Sequence, residues 1–99
     1  YRSHAESVNV EFESEISLDA ARQALAAFPG VILHDNPAEQ EYPMPLFTSG
    51  RTDVEIGRLR RDESTDHALN FWICGDQIRK GAALNALQIA EYMIAHELI

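Results

Sequence analysis

The stretch LNFWIC, Leu69 to Cys74, carries Leu, Phe and Ile at one parity and Trp and Cys at the other. Successive side chains of a strand point to opposite faces, so this segment presents apolar surface on both. It predicts a central strand that needs a cover on each side. The chain has 99 residues, which makes one domain at most, near the lower end of sizes that bury a useful core unaided.

The other elements follow from periodicity and punctuation. Val8, Val10 and Phe12 alternate with Asn9, Glu11 and Glu13, the pattern of a half-buried strand. Ser17 offers an N-cap and Asp19 suits a first helical turn. A helix is predicted from Leu18 to Phe28, with Leu18, Ala21, Leu25 and Phe28 on one stripe and Pro29-Gly30 as its stop. Val31–Leu33 reads as a short buried strand. HDNPAEQEYPMPLFTSGRTD contains three prolines and reads as a long ordered loop, a length that suggests a role in a site or interface. VEIGRLR, Val54 to Arg60, is a strand in which Gly57 marks a bulge or a close backbone approach. RDESTDHA is a polar turn. A final helix over about 80–97 sets Ala83, Leu87, Ala90, Ile94 and Leu98 at helical spacing. The order β-α-β-β-β-α predicts an α+β fold, with a mostly antiparallel or mixed sheet and helices packed on one face.

Composition narrows the function classes. Hydrophobic residues are 45% and charged residues 24% of the chain, as in an ordinary globular domain and unlike a disordered tail. The net charge of −8 disfavours nucleic acid, whose affinity comes from cations that neutralise phosphates. It leaves room for a small anionic ligand held by a few local cations. No apolar stretch is long enough for a transmembrane helix, so no membrane partner is expected. One cysteine allows no internal disulfide and fits a reducing, cytoplasmic setting.

Two positions could carry chemistry. His4 lies at the mouth of the first strand, where an imidazole can act as general acid or base. On the residues alone, a solvated histidine without a duty is the stronger reading. His34, His67 and His96 show no ligand-like spacing with His4, which argues against a metal site. GDQIRKGAA joins the buried strand to the last helix, so Gln77 and the first-turn amides lie at a strand's carboxyl end. With Lys80 nearby, that edge can hold an anionic or amide-bearing ligand. Gly81, Ala82 and Ala83 leave room for another backbone. A tightly packed helix start with a solvated lysine is the blander reading, and the residues alone favour it. Cys74, inside an apolar strand, reads as a small hydrophobe.

HAESVNVEFE, AAFPGV, YPMP, GRLRRD and GDQIRKGAALNALQIAE, in this order, resemble the C-terminal part of the aspartate-semialdehyde dehydrogenase family. The resemblance covers essentially the whole chain. It implies an N-terminal Rossmann domain that binds NADP and a C-terminal domain that supplies acid–base chemistry and the dimer interface. The implied reaction is reductive dephosphorylation of L-aspartyl phosphate to the semialdehyde through a cysteine thioester. The histidine of the family's H-[SA]-E motif falls on His4, the implied partner of that cysteine. The glutamine or asparagine of its GDQ/DN segment falls on Gln77, implied to contact the nicotinamide end of NADP.

The departures carry expectations too. The chain opens on YRSHAES without a starting Met, so the resemblance implies part of a longer protein. The family's catalytic cysteine and Gly-rich turn have no counterpart here, and its substrate-gripping arginine falls before Tyr1, not on Arg2. These residues alone are therefore expected to be inactive. The last helix is expected to pack on the Rossmann domain, and the chain to form a homodimer or higher oligomer. The alternatives are an N-acetylglutamyl-phosphate reductase, against which HAES and YPMP lean, a catalytically inactive dimerising paralogue, and a small ligand-binding or dimerising α+β module of the ferredoxin-like kind.

Overall fold

The computed structural model describes residues 2–99. Its elements are β1 (His4–Glu11), α1 (Leu18–Ala27), β2 (Val31–Leu33), α2 (Pro45–Thr48), β3 (Val54–Arg61), β4 (Ala68–Gly75) and α3 (Leu84–Ala95). The strands form one sheet in the order β1-β4-β3-β2. β4 runs antiparallel to both neighbours, and β2 joins β3 in parallel. The α+β class, the mixed sheet and the central place of the Leu69–Cys74 strand are as the sequence predicts, and the order of strands and α-helices differs only by the added short helix α2.

β4 is covered on both faces. On one side Ala21 of α1 packs with Leu59 and Leu69, with Ile16, Leu18, Leu25 and Phe71 around them. On the other, the long loop lies against the sheet: the Trp72 indole N–H donates to the Pro43 carbonyl at 3.0 Å, and Pro43, Thr48 and Cys74 are fully buried. That loop contains two short helical turns, a 3-10 turn over Pro37–Glu39 and α2, each begun by a proline. Turns this short have no period to read in a sequence.

α1 starts where its cap predicts, with the Ser17 hydroxyl accepting the Ala20 amide at 3.0 Å. It ends one residue early. Phe28 precedes a proline, whose ring disfavours the helical region for its neighbour, and Phe28 turns extended and 65% exposed. It therefore leaves the buried stripe assigned to it.

Both readings of Gly57 hold. Between Gly57 and Arg60 the β3–β4 register slips by one residue, and Arg58 takes φ +54°. The Asp35 carboxylate accepts the freed amides of Arg58 (3.0 Å) and Leu59 (3.2 Å) and pairs with Arg22 at 2.9 Å. A Cβ on Gly57 would run into the His34 carbonyl and the Pro43 ring.

The C-terminal helix is shorter than the predicted 80–97. Arg79–Ala83 winds as a wide π-type turn in which Ala82 leaves helical geometry (φ −140°, ψ −116°), and only then does α3 begin. Gly81, a poor helix former, directly precedes the break at Ala82. Leu98 lies past the helix end. Leu87 (57%) and Ile94 (64%) are exposed while Ala90 is half-buried, so the apolar stripe of α3 is only partly covered among the described residues.

Candidate functional site

His4 opens β1 opposite Gly75, the last residue of β4. Gln77 follows Gly75 by two residues. This register brings the two sequence-predicted site residues, distant in the chain, to one cavity of about 270 Å³, whose wall also includes Glu6, Asp76, Lys80 and Gly81. The remaining lining from the strands is apolar (Val54 and Ile73). His4 is exposed, leaving its imidazole open to a ligand.

Gln77 stands differently. Its side-chain carbonyl Oε1 is buried and has no hydrogen-bond partner among the described residues. A buried acceptor left unpaired costs about 1–3 kcal/mol, so such an atom is met by a donor from outside the chain, a water or a ligand. An amide N–H of a ligand would supply one. Lys80 lines the same cavity; its ammonium donates to the Gln88 side-chain oxygen Oε1 and lies against Gly30, whose φ of +83° suits glycine. Lys80 also borders a second cleft of about 470 Å³, between Phe28–Gly30 and the α3 residues Gln88, Ile89 and Tyr92.

Sequence reasoning missed Asp76. Its side chain is fully buried, yet its carboxyl is held below the usual carboxylate range. Burial alone would raise it, but the amides of Gly50 (2.7 Å) and Ile78 (3.0 Å) and the Arg2 guanidinium (2.8 Å) together outweigh that cost. The Asp76 backbone carbonyl also accepts the Arg79 and Lys80 amides. The one signal in the sequence was an aspartate after glycine at a strand end, where Asp bonds the amide two residues on.

The cavity offers an imidazole that can move a proton, an amide with a free acceptor, and a cation. Among the described residues its lining holds no thiol. Cys74 pairs with Ala5 and Glu55 in the sheet, outside the cavity lining, and burial with the Glu55 charge pushes its thiol up. Of the other histidines, His34 bonds the buried Glu55 at 3.1 Å and His96 stacks on Tyr92 at 3.8 Å. Neither lines this cavity.

Comparison with known proteins adds an independent finding. Residues 1–80 match the family described as semialdehyde dehydrogenase, dimerisation domain. The chain is 48% identical over 99 residues to an aspartate-semialdehyde dehydrogenase of Aquifex aeolicus, covering 100% of this chain and 29% of that protein. It is 47% identical over 93 residues to the enzyme of the same name from Synechocystis, covering 94% and 28%. Among solved structures, aspartate semialdehyde dehydrogenase II from Vibrio cholerae superposes with a TM-score of 0.84 at 33% identity, over 96% of this chain and 28% of that one. A second structure of that protein is complexed with ASA. The chain thus spans less than a third of the length of these relatives.

Proposed function

The chain belongs to the semialdehyde dehydrogenase dimerisation-domain family, and from that membership we propose that it forms part of an NADP-dependent aspartate-semialdehyde dehydrogenase. The proposed substrate is L-aspartyl phosphate, reduced and dephosphorylated to L-aspartate 4-semialdehyde, with the remainder of such an enzyme contributing the nucleophilic cysteine and the Rossmann domain. The observation that carries this reading is the meeting of His4 and the unpaired Gln77 carbonyl on one cavity.

His4 is assigned the proton work. Its exposed imidazole takes the proton of the attacking thiol and returns one later in the cycle, which a thiol near its ordinary pKa requires. Gln77 is assigned the nicotinamide end of NADP: a carboxamide N–H would satisfy the orphaned Oε1, and so the residues fit the group. When bound, the cofactor supplies the hydride. Gln77 orients it, and Lys80 adds positive charge at the same wall.

The exposed part of the α3 apolar stripe, with the cleft beside it, is assigned to the Rossmann domain of the full enzyme. The enzyme is read as a cytoplasmic homodimer or higher oligomer. None of the helices described is long and apolar enough to cross a membrane.

The test is a spectrophotometric assay on the full-length protein. NADPH oxidation with aspartyl phosphate, and none with residues 1–99 alone, is the expected result. A full-length protein that prefers N-acetylglutamyl phosphate, or is inert with both, would defeat the reading.

A further inference from the structure

We propose that Asp76 is the positioning residue of this site, holding the flank of His4, Gly50 of the long loop and the turn that carries Gln77 in one frame. The inference rests on the reading of the cavity as the acid–base and nicotinamide end of the enzyme.

Three segments converge on one buried carboxylate. Oδ2 accepts the Gly50 amide at 2.7 Å and pairs with the Arg2 guanidinium at 2.8 Å. Oδ1 accepts the Ile78 amide at 3.0 Å, which closes the turn around Gln77. The Arg79 and Lys80 amides bond the Asp76 carbonyl at 3.1 and 2.9 Å and fix the start of the following turn. The His4 side of the frame is held from α2. The Ser49 hydroxyl donates to the Arg2 carbonyl at 2.9 Å, and Ser3 bonds Thr48 through their hydroxyls. Ser3 takes φ +81°, a conformation that an L-residue keeps only when its surroundings impose it.

The geometry demands a carboxylate and not merely a polar side chain. Both oxygens accept from N–H donors, so an asparagine must turn its own NH₂ towards one of them. Asp76→Asn, nearly isosteric, should therefore disturb the frame almost as much as Asp76→Ala. The positioning is indirect: Asp76 acts through Gln77 and His4, and its loss should matter little where those are already gone.

The experiment uses the full-length protein, with amide hydrogen exchange read alongside turnover and NADPH affinity. In Asp76→Asn, exchange over residues 48–51 and 76–80 should quicken, and kcat/KM should fall about 10²-fold, the cost of a small misplacement of reacting groups. In a Gln77→Ala background the same change should cost only a few-fold, a non-additivity that a general loss of stability would not produce. Arg2→Gln serves as a second variant if Asp76→Asn folds poorly. It keeps the carboxylate and its amide bonds, so kcat should fall while the NADPH Kd stays within about twofold. Unchanged exchange over 76–80, or fully additive losses, would overturn the proposal. Inactivity of the wild type towards aspartyl phosphate would sink the substrate assignment alone. Faster exchange with weaker NADPH binding would then still support the role of Asp76, and unchanged exchange would still overturn it.

Discussion

His4 stands opposite Gly75 in the antiparallel pairing of β1 with β4, so the first residue of one strand and the last of the other share a rung. A slip of one residue would send His4 to the opposite face of the sheet, away from Gln77. The pairing continues without interruption to Glu11 opposite Ala68, and this continuity holds the rung in place. His4→Ala should therefore leave the fold intact, since the side chain is exposed. Turnover of the full-length enzyme should drop about 10²-fold or more, as for loss of a positioned general acid or base. Steady-state kinetics beside a circular dichroism spectrum check this. Near-wild-type kcat would remove His4 from the mechanism.

Gln77→Ala removes the orphaned acceptor instead of a proton carrier. NADPH binding by the full-length enzyme should weaken about tenfold, equivalent to one hydrogen bond of roughly 1.4 kcal/mol. Titration calorimetry measures it. Unaltered affinity together with unaltered turnover would show that the Oε1 atom serves no ligand.

Gly57→Ala tests the frame behind the site. The new methyl would meet the His34 carbonyl and the Pro43 ring, and a backbone carbonyl beside a rigid ring cannot yield as a flexible side-chain end can. A loss of about 1–3 kcal/mol in denaturant unfolding is expected, in the range of overpacked interiors. A stability equal to wild type would mean that the loop shifts freely over the bulge.

Much of this is legible in the sequence. The two-faced apolar strand foretold its central place and double cover, and Ser17 foretold its helix start. Gly57 announced both a bulge and a close approach, because a glycine inside a strand has few other reasons to be there. What escaped was decided by distant parts of the chain. Asp76 reads locally as a turn residue, and its weight in the site comes from Gly50 and Arg2, which only the tertiary register delivers. The unpaired state of the Gln77 carbonyl is a property of its surroundings and leaves no trace in the sequence. The break at Ala82 escaped for another reason: alanine is the best helix former, so a stretch of Ala with one Gly reads as continuous helix.

Asp76 also gives stability a pH signature. Its folded-state pKa lies below the ordinary value of 3.8 that it has when unfolded. Such a group contributes stability above the unfolded pKa and loses it as pH falls through the folded one. The stability gap between wild type and Asp76→Asn should thus stay flat above about pH 5 and narrow below 3.8. Asp62, whose pKa is also lowered, chiefly by the Ser64 hydroxyl, is present in both proteins and cancels in the difference. Thermal melts of the two proteins from neutral pH downwards provide the comparison. A gap that widens towards acid would reverse the sign and refute the assignment.

The last expectation concerns assembly of the 99 residues by themselves. Tyr42, Met44, Leu46 and Phe47 stand exposed on the loop that covers one face of the sheet, and Leu87, Ile89, Tyr92 and Ile94 stand exposed on α3. Exposed clusters of large apolar side chains of this kind mark interaction surfaces. The α3 patch is assigned to the rest of the enzyme, which leaves the loop and its sheet as the face that meets a second copy. A two-fold contact there would be isologous, each copy offering the same residues to the other. It should bury on the order of 1,600 Å², the size of a standard stable interface. Light scattering across a dilution series should show a dimer or larger species persisting to micromolar concentration, and Phe47→Glu should dissociate it by placing a charge at the contact. A monomer throughout the series would show that the sheet is sufficiently covered by its own loop, and the proposed interface would be wrong.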